Sequence, residues 1–268
     1  MNCKTKDGLN IYYEVQGNVN APETLVFLNG LTQSTLAWFF CLPFFKDHYK
    51  IVLMDFIFQG NSDKSGDPRN FDQHAEDVIS VLDQEKISKV SIIGISYGSL
   101  VAQHLAVNYP RKINKLVLLS TFAHKTQIFE AIELSWWRSL ETGGYGLMFD
   151  TMMPYVLSDD YFSKPIIPIE MLKKSREDLN QNAQAIFNLM RATKERDDYR
   201  PQLKNIKAPT LIIQGEKDTL LPVYLASEVH KNIIGAKLEV IPAAGHTLNL
   251  ERVPEVCAHI LAFLNGKK

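Results

Sequence analysis

Cysteine is scarce in this chain of 268 residues: Cys3, Cys41 and Cys257 are odd in number and far apart. They make neither a disulfide framework nor a metal cluster, and a reducing, cytoplasmic setting is expected. Long apolar runs are lacking too. None approaches the ~20 residues needed to cross a membrane, and the opening Met1-Asn2-Cys3-Lys4-Thr5-Lys6-Asp7 has no apolar leader core. Neither sign of charge is in excess, since 29 Lys+Arg against 30 Asp+Glu leave a net charge of -1. With no basic stripe, nucleic acid is not an expected partner. Internal repeats and low-complexity tracts are missing. Histidines occur, but His48, His74, His104, His124, His230 and His259 stand near no cysteine or carboxylate at ligand spacing, so no metal is expected.

What is there is an ordinary globular composition, 46% apolar and 22% charged, long enough for one large domain or a domain carrying an insertion. Residues 3–16 read as a hairpin turning at Asp7-Gly8, with Leu9, Ile11 and Tyr13 alternating with polar neighbours. Near-continuous apolar strands follow at 24–28, 50–54, 90–93, 115–119, 210–215 and 237–242. Between most of them lie amphipathic helical stretches, expected from about Ser34 to Phe45, from Asp72, after Tyr97 and from Pro254 to Asn265. That alternation predicts an α/β fold, an open and mostly parallel sheet of eight strands with helices on both faces. The rhythm breaks at His124. Residues 124–200 contain no convincing strand and are rich in aromatic residues and methionine, including Trp136 and Trp137. They are expected to be a helical lid inserted into a core formed by 1–123 and 201–268, resting on the C-terminal edge of the sheet and enclosing a water-poor pocket.

The informative stretch is Val90 to Leu100. An apolar strand runs into Gly94-Ile95-Ser96-Tyr97-Gly98 and then into a helix. A strand that turns at once into a helix strains the backbone of the middle residue and leaves its side chain alone at the sheet edge. Side chains two positions either way would collide with neighbours, so glycine is needed at both. By itself the pattern is also that of an ordinary Gly/Ser-rich turn. Later strand ends supply what a nucleophile needs. Asp218 follows the strand at 210–215, and His246 follows the strand at 237–242. The order Ser96, Asp218, His246 fits a serine activated by an imidazole that a carboxylate orients. Backbone N–H groups of Tyr97 and Leu31 are the expected oxyanion donors. Each residue has a plainer reading: Asp218 as a turn residue, His246 as a surface histidine, with Glu216 the rival acid. The three together make coincidence improbable.

These segments resemble the α/β-hydrolase fold superfamily over essentially the whole chain. The residues carrying the resemblance are Leu28-Asn29-Gly30, Asp55 with Gly60-Asn61-Ser62, the elbow, Gly215-Glu216-Lys217-Asp218 with Pro222, and Gly245-His246 with Glu251 and Pro254. The nearest in character are small lidded esterases, enol-lactone hydrolases, and esterases that unmask acyl-carrier-protein methyl esters. The resemblance implies a cofactor-free hydrolase. Two departures stand out: Asn29 replaces the family's histidine before the oxyanion glycine, and Phe58 stands where a glycine is usual. Asn29, Gly30, Phe58, Trp136 and Trp137 are the candidate substrate contacts. A serine rather than aspartate nucleophile argues against dehalogenase and epoxide-hydrolase chemistry.

The leading expectation is therefore a serine hydrolase acting on a carboxylic ester or thioester of a small or acyl-chain molecule, as monomer or homodimer. Lactone and carbon–carbon bond hydrolysis use the same triad. Two other readings remain open. One is a slow ligand receptor that keeps the triad. The other is a hydrolase whose substrate rides on an acidic carrier protein, met by Lys173, Lys174, Arg176, Arg191, Lys194 and Arg196. Interspersed acids make those basic residues look like a solvated helix face.

Overall fold

The computed structural model of the chain describes residues 1–266. Eight strands form one sheet: β1 (Asn2–Lys4), β2 (Asn10–Gly17), β3 (Thr24–Leu28), β4 (Lys50–Met54), β5 (Val90–Ile95), β6 (Ile113–Leu119), β7 (Thr210–Gly215) and β8 (Lys237–Ile241). Their spatial order is β1-β2-β4-β3-β5-β6-β7-β8. β2 runs antiparallel to β1 and β4, and every pair from β4 to β8 is parallel. The α/β fold class expected from the apolar strand runs is thus the observed one.

Why the strands read as continuous apolar runs is clear from the packing. Successive side chains of a strand point to opposite faces, and here both faces are covered. Val26, Leu28, Ile92, Leu116, Leu118 and Ile212 join one buried cluster. Leu25, Phe27, Ile93, Val117, Leu119, Leu211 and Ile213 join another on the opposite face. The first is sealed by α1 (Phe71–Gln84), capped by Asn70 and Gln73 in a reciprocal box, and by α2 (Tyr97–Asn108). The helices between β6 and β7 add to that same cluster: α3 (Gln127–Val156), α4 (Asp159–Ser163), α5 (Ile169–Leu179), α6 (Ala183–Glu195) and α7 (Arg200–Leu203). After β7 come α8 (Val223–Asn232), α9 (Leu248–Glu251) and α10 (Val253–Leu264), the last sealing the second face through Val256, Cys257, Ile260 and Leu264.

The helix expected from Ser34 to Phe45 is not formed. Two short 3-10 turns, Thr35–Trp38 and Leu42–Phe44, replace it. Pro43 in the middle has no N–H to donate and cannot sit in a helix interior without a clash. The segment is held by packing instead: Trp38 and Phe45 lie against Phe27 at 4.9 and 5.6 Å between ring centroids. The stretch between β6 and β7 is helical throughout its regular elements, and α3 breaks at Gly144, whose φ of 69° lies in the left-handed region that glycine tolerates.

Candidate active site

Strand register determines which loops meet. Leu28 pairs with Gly94, Ile95 with Leu119, Leu119 with Ile213, and Gly215 with Ile241. The C-terminal ends of β3, β5, β6, β7 and β8 therefore line up, and such an edge is where open α/β sheets bind ligands.

Ser96 sits between β5 and α2 with φ 51° and ψ -116°, a conformation costly for any residue but glycine. Its N–H donates to the Leu119 carbonyl at 2.9 Å, which fixes the turn against β6. Both flanking glycines are required sterically. A Cβ at Gly94 would lie 2.4 Å from the Gly98 carbonyl oxygen, and one at Gly98 would lie 2.2 Å from that of Leu28.

His246 Nδ1 lies 2.8 Å from Asp218 Oδ2. The Asp218 side chain is fully buried. Its Oδ1 accepts from the Leu221 N–H at 2.8 Å and its Oδ2 also accepts from Gln214 Nε2 at 2.7 Å. With Nδ1 committed to the carboxylate, the imidazole keeps a lone pair on Nε2. The loop carrying His246 is held independently. The Glu251 carboxylate accepts from the backbone N–H groups of Ser158, Gly245 and Thr247 at 3.1, 3.1 and 3.2 Å. Ser120 Oγ donates to the His246 carbonyl at 2.7 Å. Glu216 is exposed and accepts from the Ala243 N–H.

Ser96 and His246 line one cavity with Gly30, Leu31, Thr32 and Gln33 from the loop after β3. Most of the remaining wall is apolar and comes from the helical stretch, chiefly Trp136, Phe149, Met152, Met153, Val156 and Leu172. The cavity is partly open to solvent and its volume is about 70 Å³, far below the several hundred Å³ of a drug-sized pocket. Neither Leu31 N–H nor Tyr97 N–H has a protein acceptor among the described residues, as a pair of donors reserved for a ligand oxygen would require.

Not every expected contact lies here. Asn29 is fully buried under the loop: its Nδ2 donates to the Met54 carbonyl at 2.8 Å and its Oδ1 accepts from Trp38 Nε1 at 2.9 Å. It shapes the loop rather than the cavity wall. Gln59 assists, donating to the carbonyls of Gly30 and Leu31 at 2.8 and 2.9 Å. Phe58, at φ 79°, turns its ring into the core instead of narrowing the cavity. Trp137 follows Trp136 by one residue, about 100° around the helix. It packs on Phe187 under Lys194, away from the cavity. Gly30 and Trp136 do line it.

The basic residues of 173–196 do not form a common rim. Lys173 pairs with Asp150 at 2.7 Å, Arg191 with Glu195 at 3.9 Å, and Arg196 is buried beside Tyr199 and Gln103. Arg176 reaches the cavity. Sequence reasoning placed Arg176 on a solvated face and gave Glu251 no role. The available signals were Leu172, Arg176 and Asn180, spaced by four along one helix face, and an acid five residues after His246. No three His, Cys, Asp or Glu side chains gather as a metal would need among the described residues. Among the described residues no helix is long and apolar enough to cross a membrane.

The sheet order and this edge are those of the α/β-hydrolase fold. A family model described as the alpha/beta hydrolase fold matches residues 23–150. Among individual proteins, the chain is 28% identical over 260 residues to 3-oxoadipate enol-lactonase 2 of Acinetobacter baylyi, covering 95% of this chain and 92% of that one. It is 27% identical over 258 residues to the 2-hydroxy-6-oxononadienedioate/2-hydroxy-6-oxononatrienedioate hydrolase of Escherichia coli, covering 90% and 87%. An alpha/beta hydrolase enzyme from a Medee basin deep-sea metagenome library superposes with a TM-score of 0.88 at 26% identity, over 100% of this chain and 98% of that one. These relatives are hydrolases, but their names span more than one kind of substrate.

Proposed function

We propose that the protein is a serine hydrolase that opens a carboxylic ester or lactone through an acyl-enzyme. The observation that carries this reading is the His246–Asp218 pair at 2.8 Å, with His246 facing the same cavity as the strained Ser96. Ser96 Oγ attacks the carbonyl carbon while His246 Nε2 takes its proton. The resulting oxyanion is held by the N–H groups of Leu31 and Tyr97, at a loop that Asn29 and Gln59 keep in place. His246 then protonates the departing oxygen, leaving Ser96 acylated. Water enters, gives a proton to His246 and attacks the acyl carbon, and the acid leaves as Ser96 recovers its proton. Asp218 holds the imidazole tautomer and stabilises its charged form.

In this reading the helices of 124–200 act as a cap over the sheet edge, with Trp136 and Gly30 touching substrate. The cavity volume of about 70 Å³ favours short acyl groups over long ones. The enol-lactonase relative, matched over nearly the whole chain, supports including lactones. The test is turnover of methyl and p-nitrophenyl esters from two to twelve carbons and of simple lactones, with Ser96→Ala alongside. Turnover should peak at two to four carbons, and Ser96→Ala should lose about 10⁴-fold or more. A ligand receptor would instead show at most a single turnover on every substrate.

A further inference from the structure

The catalytic cavity contains a cation with no anion. Arg176, on α5, lines it, and no carboxylate lies within ion-pair distance of its guanidinium among the described residues. Its protein bond is from Nη1 to the Thr32 carbonyl at 3.2 Å. A guanidinium has five N–H donors, so this bond leaves most of them unused. Asn180 Nδ2 donates to the same carbonyl at 3.2 Å, so Thr32 does not depend on Arg176 alone. Desolvation pulls the Arg176 pKa below the usual guanidinium value, with the Tyr145 and Tyr161 hydroxyls working against it. Trp136 Nε1 belongs to the same wall and is buried without a partner. A cavity whose walls are otherwise mainly apolar thus holds surplus donors and no acid to receive them. Buried polar groups normally find partners; Trp136 Nε1 has none, and the half-buried Arg176 has donors left over for an occupant of the cavity.

Arg176 also marks a boundary. A second cavity of about 90 Å³ adjoins the first and shares Gln33, Leu172, Arg176, Thr247 and Leu250 with it. Ser96 and Arg176 line the same cavity, so a substrate whose carbonyl lies at Ser96 shares that cavity with the guanidinium.

We propose that Arg176 binds a carboxylate of the substrate, so that the preferred substrates are anionic: half-esters of short dicarboxylic acids or lactones bearing a carboxylate. This rests on the serine-hydrolase reading for where the carbonyl sits, but the anion site itself can be measured without turnover. A guanidinium–carboxylate pair is short, often bidentate and stronger than a neutral hydrogen bond. A neutral isostere would leave the charge unpaired.

The test compares monomethyl with dimethyl glutarate, and the matching adipates, in the wild type, Arg176→Gln and Arg176→Lys. The wild type should favour the monoanion over the diester by about 10–100-fold in kcat/KM. Arg176→Gln should bring that ratio to within about threefold of one, and Arg176→Lys should restore part of it. A merely structural role, acting through Thr32, would change both substrates alike and leave the ratio intact. Calorimetric binding of glutarate gives the second readout: it should be detectable in the wild type and weaker by at least about tenfold in Arg176→Gln. If the diester is turned over in a Ser96-dependent way but no ratio appears and glutarate does not bind, the carboxylate site is refuted and the hydrolase reading stands. If no ester is turned over yet glutarate binding depends on Arg176, the hydrolase reading fails and the anion site stands.

Discussion

Replacing Asp218 with asparagine removes one charge and almost no volume, and the structure sets what must follow. The carboxylate receives three donors: the Leu221 N–H at Oδ1, and Gln214 Nε2 and His246 Nδ1 at Oδ2. An asparagine keeps one acceptor oxygen. If it faces Leu221, the amide NH2 confronts Gln214 and His246, and the imidazole can respond only by presenting a lone pair at Nδ1. Its proton then sits on Nε2, where it blocks proton uptake from Ser96. If the amide flips, His246 keeps its tautomer but the buried Leu221 N–H meets a donor. Either way a buried donor is left unsatisfied, at about 1–3 kcal/mol. For a chain of this size that is a Tm lower by roughly 2–12 °C. In the first arrangement kcat should fall about 10⁴-fold, the size of effect a wrong tautomer has in serine hydrolases. The assay is kcat on a short ester with Tm measured in parallel. Glu216→Gln is the control, because Glu216 is exposed and bonds Ala243, and it should stay within about threefold of wild type. A kcat for Asp218→Asn within tenfold of wild type, or a larger loss for Glu216→Gln, refutes the assignment of the acid.

Two further outcomes follow from groups outside the proposed triad. Glu251→Gln leaves at least one of the Ser158, Gly245 and Thr247 N–H groups facing an amide NH2, so Tm should fall by about 2–12 °C for each donor left unsatisfied. An unchanged melting curve would show that the His246 loop is held by other means. His74 is wholly buried against the Phe56 and Tyr97 rings, and burial lowers its pKa from 6.5 to about 3. Because the folded-state value lies below the unfolded one, its neutral form favours folding fully above pH 6.5, and that contribution is lost as pH falls toward 3. Between pH 7 and pH 5 the loss is about 2 kcal/mol, or a Tm lower by about 4–8 °C. His74→Leu should flatten that part of the pH–Tm curve. Equal slopes in the two proteins would mean that His74 is not the group responsible.

The parts of this molecule that could be read in advance are those where one local rule suffices. The elbow was legible because two glycines, two residues either side of Ser96, answer to backbone contacts of 2.4 and 2.2 Å. The strands were legible because both sheet faces are covered, so nearly every position is apolar. The 34–45 segment misled because Trp38 and Phe45 supply a helix-like apolar pattern, while Pro43 forbids the helix and packing on Phe27 settles the matter. Asn29 and Phe58 misled for a related reason. Their loops border the sheet edge, but a hydrogen bond to Trp38 and a left-handed turn send the side chains inward. Arg176 and Glu251 depend on partners 144 and up to 93 residues away, and no local pattern encodes such a distance.

The most direct measurement of the central claim is covalent trapping of the nucleophile. Wild-type protein treated with a small alkyl fluorophosphonate should take up one equivalent, mapped by peptide mass spectrometry to Ser96. Ser96→Ala should take up none, and His246→Ala should react slower by about 10³-fold or more. Wild-type protein that stays unmodified, or that carries the adduct on another serine such as Ser99, would contradict the account.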